Sequence, residues 1–449
     1  MVYLHNETSR TSLYDRVKKL LVSYEWSDCC FSVSGKEFKA HKLILCISSP
    51  VFEAMFYGPL SSSDCIVVPD IEPDIFQQLL NFIYTDKVEL RSIEEALELL
   101  YAAKKYLLNE LTDMCITYVK DHISIDNIIT ILNYPEYLQD DDVIPTARTL
   151  FCQHAEYLLQ ENKTEMSPHC LKSVLESNAL NVKEKDLIKH IFAWTALYCK
   201  QNDMPITLKA RRDVLIKNDI FKSLRFLSMS LEELDEVVLD ENNILVPSEI
   251  DRLKEAIKGT KVLKEEDEIG TLGSVYSDRY ILKLQWKLCH RKPLKSVAPI
   301  SIDANNFTIC CKVKANKSVF ITSLCIPTRM APVFNFRNNT AKVYSEQISV
   351  SVISESDNKV IKFTNYMNTV EYDSMINIEL SEPCVIKKDK WYKIEFAWHH
   401  NRCLSYPYAV QCRDRYFKDY RLLFEFEDLS LNSGNCGLGS YLAGLKYCL

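Results

Sequence analysis

Residues Ser27–Leu60 read SDCCFSVSGKEFKAHKLILCISSPVFEAMFYGPL, and Ile66–Tyr84 continue IVVPDIEPDIFQQLLNFIY. Cys29–Val33 and Glu37–Ala40 are short β-like runs, and Ser34-Gly35-Lys36 between them is a hairpin turn signal. His41 to Ile47 opens a helical pattern, and Ser49-Pro50 starts a second helix with proline near its first position. Pro69-Asp70-Ile71-Glu72-Pro73 introduces a third helix, in which Phe76, Leu79, Leu80 and Ile83 keep helical spacing. The stretch therefore predicts strand, hairpin, two helices, a strand and a helix, and it holds no catalytic residue set.

Upstream, Leu13, Val17, Leu20, Leu21 and Tyr24 recur at helical intervals and predict an amphipathic helix over Ser12–Tyr24, after a tail at 1–11. Downstream, Ile93–Val119 predicts two more helices around Leu97, Leu100, Tyr101 and Leu111. Helical patterns then follow at Asp126–Tyr134, Asp142–Leu159, Pro168–Glu176, Glu184–Cys199 and Ser230–Val238. Asn181-Val182-Lys183-Glu184 suits a helix start with Asn181 as the cap, and Leu187, Ile191, Trp194 and Tyr198 form one apolar face. Three of the chain's nine glycines and an acidic run fall in 259–276, so 258–278 reads as a linker.

Beyond that linker the texture changes to alternation. FTICCKVK, SVFITSLCI, EQISVSVIS, KVIKFTN, INIELSE, WYKIEFAW and RLLFEFEDL are strand-length runs of period two, which predict an antiparallel β-sandwich.

At 449 residues the chain exceeds one ordinary core, and 47% apolar with 26% charged residues is a globular composition. A net charge of −7 argues against a nucleic-acid partner. No apolar run approaches the ~20 residues that span a bilayer, so no membrane partner is expected. MVYLHNETSRTSLYDR is too polar for a secretory signal, which leads us to expect a cytoplasmic chain, with the nucleus as a second compartment. Seventeen scattered cysteines form no C-x-x-C pair and read as reduced, structural thiols. His399, His400 and Cys403 supply three metal-ligand types without a fourth, and Cys289-His290 fares no better, so no metal or other cofactor is expected. Phosphate-loop, dinucleotide and serine-hydrolase fingerprints are missing from the sequence, and no catalytic residues are expected.

The Ser27–Tyr84 pattern closely resembles a BTB/POZ domain. Asp28, Phe31, Val33, Phe38, Ala40, His41, Lys42, Leu45, Ser48, Phe52, Met55, Phe56 and Tyr84 carry the match, and YAAKKYLLNEL (Tyr101–Leu111) resembles the end of such a domain, which places it at 12–122. LESNALNVKEKDLIKHIFAWTALYCK (Leu175–Lys200) resembles the signature of a BACK helical domain, placed at 123–257. Phe307-Thr308-Ile309, Val319-Phe320-Ile321 and Asn432–Gly437 resemble a PHR-type sandwich at 279–449, although Leu324–Thr328 lacks the glycine expected there. The fold class implied is multidomain α+β: an α/β BTB domain, a helical BACK domain and a PHR-like sandwich.

Chains with this order resemble non-catalytic substrate adaptors of cullin-3 ubiquitin ligases. The resemblance implies a cullin-3 groove lined by Phe52, Met55, Phe56, Tyr57 and Leu60, with Ser62 and Tyr84 beside it. It implies homodimerisation through Leu13, Val17, Leu20 and Leu21, with Asp28 and Lys42 as a buried charged pair, and a protein substrate, of unknown identity, on the sandwich. Leu60-Ser61-Ser62 stands where the family often has a glutamate, and Asp64 is only a displaced substitute. The alternative is a dimeric BTB scaffold or transcriptional cofactor that does not bind cullin.

Overall fold

The computed structural model describes residues 12–58, 65–134, 143–161, 165–259, 277–303, 307–332, 342–398, 405–428 and 439–449. The chain forms two compact units. The first holds residues up to Ile123 and Asn127–Ile281, and the second holds Leu282–Leu449 together with Ser124–Asp126.

The first unit opens with helix α1 (Leu13–Ser23), whose capping box joins Ser12 to Asp15. Strands β1 (Cys29–Val33) and β2 (Lys36–Ala40) form an antiparallel hairpin. Its two turn residues, Ser34 and Gly35, both have positive φ, the backbone a tight two-residue hairpin requires. Lys36 is already in the second strand. Helices α2 (Lys42–Ser48) and α3 (Pro50–Tyr57) follow, and β3 (Ile66–Val68) then returns parallel to β1, giving the sheet order β2-β1-β3. Helices α4 (Pro73–Thr85), α5 (Ile93–Lys105) and α6 (Asn109–His122) complete this region, matching the expected order of elements.

The helical continuation comprises α7 (Ile128–Asn133), α8 (Val143–Gln153), α9 (Ala155–Glu161), α10 (Pro168–Leu175), α11 (Glu184–Gln201), α12 (Leu208–Lys217), α13 (Ile220–Ser223), α14 (Leu231–Val238) and α15 (Pro247–Ile257). Leu187, Ile191 and Trp194 are buried on α11 as their spacing predicts, and the Trp194 indole donates to Met166 O at 2.9 Å. Asn181 does not cap that helix. Lys183 occupies the N-cap without a side-chain bond, while the Asn181 amide donates to Gln153 O. Helices α12, α13 and α15 were not among the expected patterns, because their apolar stripes are short and interrupted by charge, as in LKARRDVLIK.

The first compact unit runs on past 122/123, so the helices before and after that point belong to one unit. Residues 279–281 also stay with the helices rather than opening the sandwich. The Arg279 guanidinium is buried, pairs with Glu184 at 3.0 Å and donates to Leu175 O and Ser223 O at 2.8 Å each. A buried guanidinium is retained where each of its donors finds an acceptor. Most of the expected linker lies outside the described residues.

The second unit is an antiparallel sandwich. Its strands are β4 (Lys287–His290), β5 (Pro293–Ser296), β6 (Ile300–Ile302), β7 (Thr308–Ala315), β8 (Val319–Pro327), β9 (Val343–Ser354), β10 (Val360–Glu371), β11 (Met375–Ile386), β12 (Tyr392–Trp398), β13 (Tyr406–Tyr408), β14 (Gln411–Arg413), β15 (Tyr416–Asp419), β16 (Leu422–Asp428) and β17 (Gly444–Cys448). One sheet runs β10-β9-β12-β7-β16-β15 and the other β11-β8-β17-β4, with two small pairs, β13-β6 and β14-β5. Ile309, Cys311 and Val313 of β7 alternate inward, as do Ile394 and Phe396 of β12. They join Ile321, Leu324 and Ile378 of the facing sheet in one apolar core.

Candidate protein-interaction site

The sequence directs attention to α2 and α3, and the structure divides their apolar residues into two sets. Ser49 caps α3, accepting the Phe52 amide at 3.3 Å, and Pro50 takes the first helical position. The Ser49 hydroxyl donates to Tyr106 O at 2.5 Å, which ties the start of α3 to the end of α5. Phe52 is fully buried, stacked on Tyr106 with centroids 4.3 Å apart and edge-on to Phe31 at 5.7 Å. Phe56 is buried beside Phe31 at 6.1 Å. These two rings belong to the core and do not line an open groove. The expectation is corrected for a geometric reason: a short helix packed on a sheet turns its i and i+4 positions inward together.

Tyr84 is likewise internal. Its hydroxyl accepts the His41 amide at 2.9 Å and sits 2.8 Å from His41 Nδ1. His41 Nε2 lies 2.7 Å from Glu25 O, and a carbonyl only accepts, so Nε2 carries the proton. In the tautomer with its proton on Nε2, Nδ1 accepts from the tyrosine. Burial raises the Tyr84 ionisation well above the ordinary phenol value, which keeps that donor in place. The residue is a strut between α4 and the start of α2.

Exposed apolar residues make up the second set. Leu43 and Ile47, four residues apart on α2, are 69% and 76% exposed, and Tyr57 on α3 is 67% exposed. Met55 is half-buried. Leu43 and Ile47 are not among the expected groove residues, because the sequence alone does not show that Leu45 faces the core. The signal was available in the i, i+4 spacing of two large apolar residues flanking it. Leu60, Ser62 and Asp64 lie outside the described residues.

Helix α1 buries only Leu21 fully. Val17 and Leu20 are half-buried, whereas Leu13 and Val22 are largely exposed, and Trp26 just beyond the helix is 82% exposed. Asp28 and Lys42 do not form the expected buried ion pair. The exposed Asp28 carboxylate accepts the Lys42 backbone amide at 2.8 Å, satisfying one of the free donors at the start of α2. The Lys42 ammonium instead lies 5.5 Å from the centre of the Phe56 ring.

Cysteine chemistry needs one correction as well. Cys30 and Cys65 are joined in a disulfide, with Cα atoms 4.7 Å apart. The parallel register pairs Phe31 with Ile66, so the preceding residues of β1 and of the β3 approach fall side by side at the ordinary strand spacing. The other described thiols are free, and where they are buried desolvation pushes them up, Cys115, Cys170 and Cys289 to about 12, far from the reactive thiolate form. Among the described residues no three His, Cys, Asp or Glu side chains gather as a metal site, and His399, His400 and Cys403 lie outside them. Cys289 faces the core while His290 faces out. No helix among the described residues is long and apolar enough to cross a membrane.

The BTB/POZ domain family profile matches residues 17–123. The chain is 33% identical over 196 residues to BTB/POZ domain-containing protein 6-A of Danio rerio, covering 43% of this chain and 36% of that protein. It is 31% identical over 196 residues to BTB/POZ domain-containing protein 6 of Homo sapiens and 30% identical over 195 residues to BTB/POZ domain-containing protein 3 of Homo sapiens. Each match covers 43% of this chain, with 36% of the former protein and 37% of the latter. The matched stretch thus spans little more than a third of the length of these relatives. Among solved structures, the BTB domain of zebrafish PATZ1 is 27% identical, covers 24% of this chain and 87% of that chain, and has a TM-score of 0.22. With the hairpin, the parallel third strand and the helices around them, residues 17–123 of this chain form a BTB/POZ domain.

Proposed function

We propose that this chain is a non-catalytic adaptor of a cullin-3 ubiquitin ligase, with its BTB/POZ domain docking the cullin and its C-terminal sandwich recruiting the protein to be modified. The observation that carries the reading is the exposed apolar set Leu43, Ile47 and Tyr57 on adjacent helices of a BTB/POZ domain. Large apolar and aromatic side chains held on rigid helices are the anchors around which interface energy concentrates. Met55 stays on this surface, while Phe52, Phe56 and Tyr84 support it from beneath. The helical region is read as a BACK domain and the sandwich as a PHR-type domain, and cytoplasmic action fits the reading.

Self-association belongs to the same proposal. Leu13, Val22 and Trp26 expose apolar surface on and beside α1, which a second copy would cover. A two-fold dimer would present two recruiting domains at once, raising apparent affinity for a target through effective concentration.

Calorimetric titration of the full-length chain with the N-terminal region of cullin-3 tests the docking step. A dissociation constant of tens of micromolar or tighter, about 6 kcal/mol of binding, is expected. No heat at that concentration overturns cullin docking and leaves a dimeric scaffold or transcriptional cofactor. Affinity purification of the full chain beside a 1–281 truncation then assigns partners to each unit. The truncation ends at 281 because removing Arg279 would strand Glu184 in the helical unit.

A further inference from the structure

A pocket of about 510 Å³ opens in the sandwich where the end of β8, the β10–β11 turn and strand β14 come together. Its walls carry Pro293, Pro327 and Met375, with Thr328, Ser374, Gln411 and Arg413 as polar members. An apolar enclosure with a few polar groups directed into it is the usual form of a recognition pocket.

Two arginines meet here, and they differ in what they hold. Arg291 is fully committed: it grips Asp428 in a two-pronged pair at 2.9 and 2.8 Å and donates to Leu442 O and Asp414 O. Arg413 donates one amino group to Arg291 O at 3.0 Å, its Nε–H is buried without a partner, and it makes no ion pair with any described residue. A buried donor left unmatched is uncommon enough in folded proteins to demand a reason. Burial first, and then the neighbouring Arg291 guanidinium, hold Arg413 below the usual arginine range, a cost that an arriving anion removes. Asp373 is the only carboxylate among the described residues lining the pocket, and it accepts the Ala331 amide at 3.2 Å.

We propose that Arg413 and its pocket bind the carboxylate of an aspartate or glutamate side chain from a partner protein. The amino group of Arg413 that does not bond Arg291 O has no described partner, and it is the donor left to meet a carboxylate oxygen. One unneutralised guanidinium beside one fixed carboxylate, with His290 also in the lining, suits a single negative charge better than the near-double charge of a phosphate. Proline and methionine walls take the apolar neighbours of the acidic residue. The proposal rests on the reading that the sandwich recruits a protein, and it supplies the chemistry of the recognised segment.

Selection of a displayed random nonapeptide library on the full-length chain tests it, with enriched sequences re-measured as fluorescein-labelled peptides by polarisation. Enriched peptides are expected to carry Asp or Glu. Changing that residue to its amide should weaken binding at least tenfold, and Arg413→Gln in the protein should cost the same, with Arg413→Lys recovering part of it. The amide exchange leaves the protein untouched, so it reads the contact even if Arg413→Gln folds poorly. Phosphoserine at the acidic position should bind no more tightly than glutamate; tighter binding overturns the single-charge assignment. Free N-acetylglutamate separates the sources: a peptide at least tenfold tighter supports a protein ligand, and equal affinity reassigns the pocket to a small acid. Failure to enrich acidic peptides, or binding to Arg413→Gln within twofold of the unaltered chain, overturns the pocket. Partner loss on truncation at 281 is read separately, so recruitment by another surface of the sandwich would still be seen.

Discussion

Phe31 and Glu346 are both fully buried, yet the first sits among Phe52, Phe56 and Phe76 while the second sits among hydroxyls and a guanidinium. Tyr408 donates to Glu346 at 2.9 Å and accepts from Trp398 Nε1 at 2.8 Å and Arg329 Nε at 3.0 Å. Tyr344 donates to the same carboxylate and accepts the Arg329 amide. The BTB/POZ domain is thus held by interlocked rings of one chemistry, which tolerate exchange of similar volumes. The sandwich adds a polar network whose members are each correct only if the others are present. A fully satisfied network of this kind specifies one packing, and a partly satisfied one is worse than an apolar core.

Removing one member should expose that difference most strongly. Glu346→Leu leaves Arg329 without its carboxylate and two tyrosine hydroxyls without their acceptor, and is expected to destabilise the sandwich by about 3–5 kcal/mol. Scanning calorimetry of the full chain should show the sandwich transition moving down while the BTB/POZ transition stays in place. An unchanged sandwich transition would make the two cores equivalent and break the contrast.

The next effect tests the one covalent tie in the first unit. Cys30–Cys65 closes a segment of 35 residues that includes the whole of α2 and α3. Cys65→Ser should cost about 2–4 kcal/mol without reductant and nothing measurable in excess dithiothreitol. Equal stability of the two forms without reductant would show that the thiols are not joined in solution, as an intracellular reducing environment would dictate.

How far each region was legible in the sequence follows the same division. The hairpin, α3 and α4 were readable because Ser34-Gly35, Ser49-Pro50 and Pro73 are local signals whose chemistry acts within a few residues. Strands β7, β9 and β12 were readable because alternation needs no partner to be seen. Even the register of Glu346 was visible, since it shares parity with Ile348, Val350 and Val352 on the buried face of β9. Its partners were not visible, because Tyr408 and Arg329 arrive from elements 62 and 17 residues away. The same limit explains Cys30–Cys65, the return of Arg279 to the helices and the inward turn of Phe52. In each case the residue type was informative, and the neighbour that decides its role lies far along the chain.

Tyr84→Phe probes a polar strut beside the aromatic core. It deletes the group that satisfies both the His41 amide and Nδ1, and leaving them unpaired should cost about 1–3 kcal/mol. Denaturant unfolding followed by circular dichroism measures it. A neutral result would mean that water replaces the hydroxyl, and that this strut differs from the Glu346 network in being dispensable.

The smallest stability effect carries the sharpest functional contrast. Ile47 and Phe52 are apolar residues five positions apart, one 76% exposed and the other fully buried. An exposed side chain makes few native contacts, so Ile47→Asp should shift stability by no more than about 0.5 kcal/mol. Placed in the middle of the proposed docking surface, the same carboxylate would have to be desolvated against a partner, which is costly without a matching cation. Titration with the cullin-3 N-terminal region should therefore lose at least tenfold in affinity while the melting temperature holds. If affinity is unchanged and stability falls, Ile47 packs as Phe52 does, and the division of α2 and α3 into an inner and an outer face is wrong.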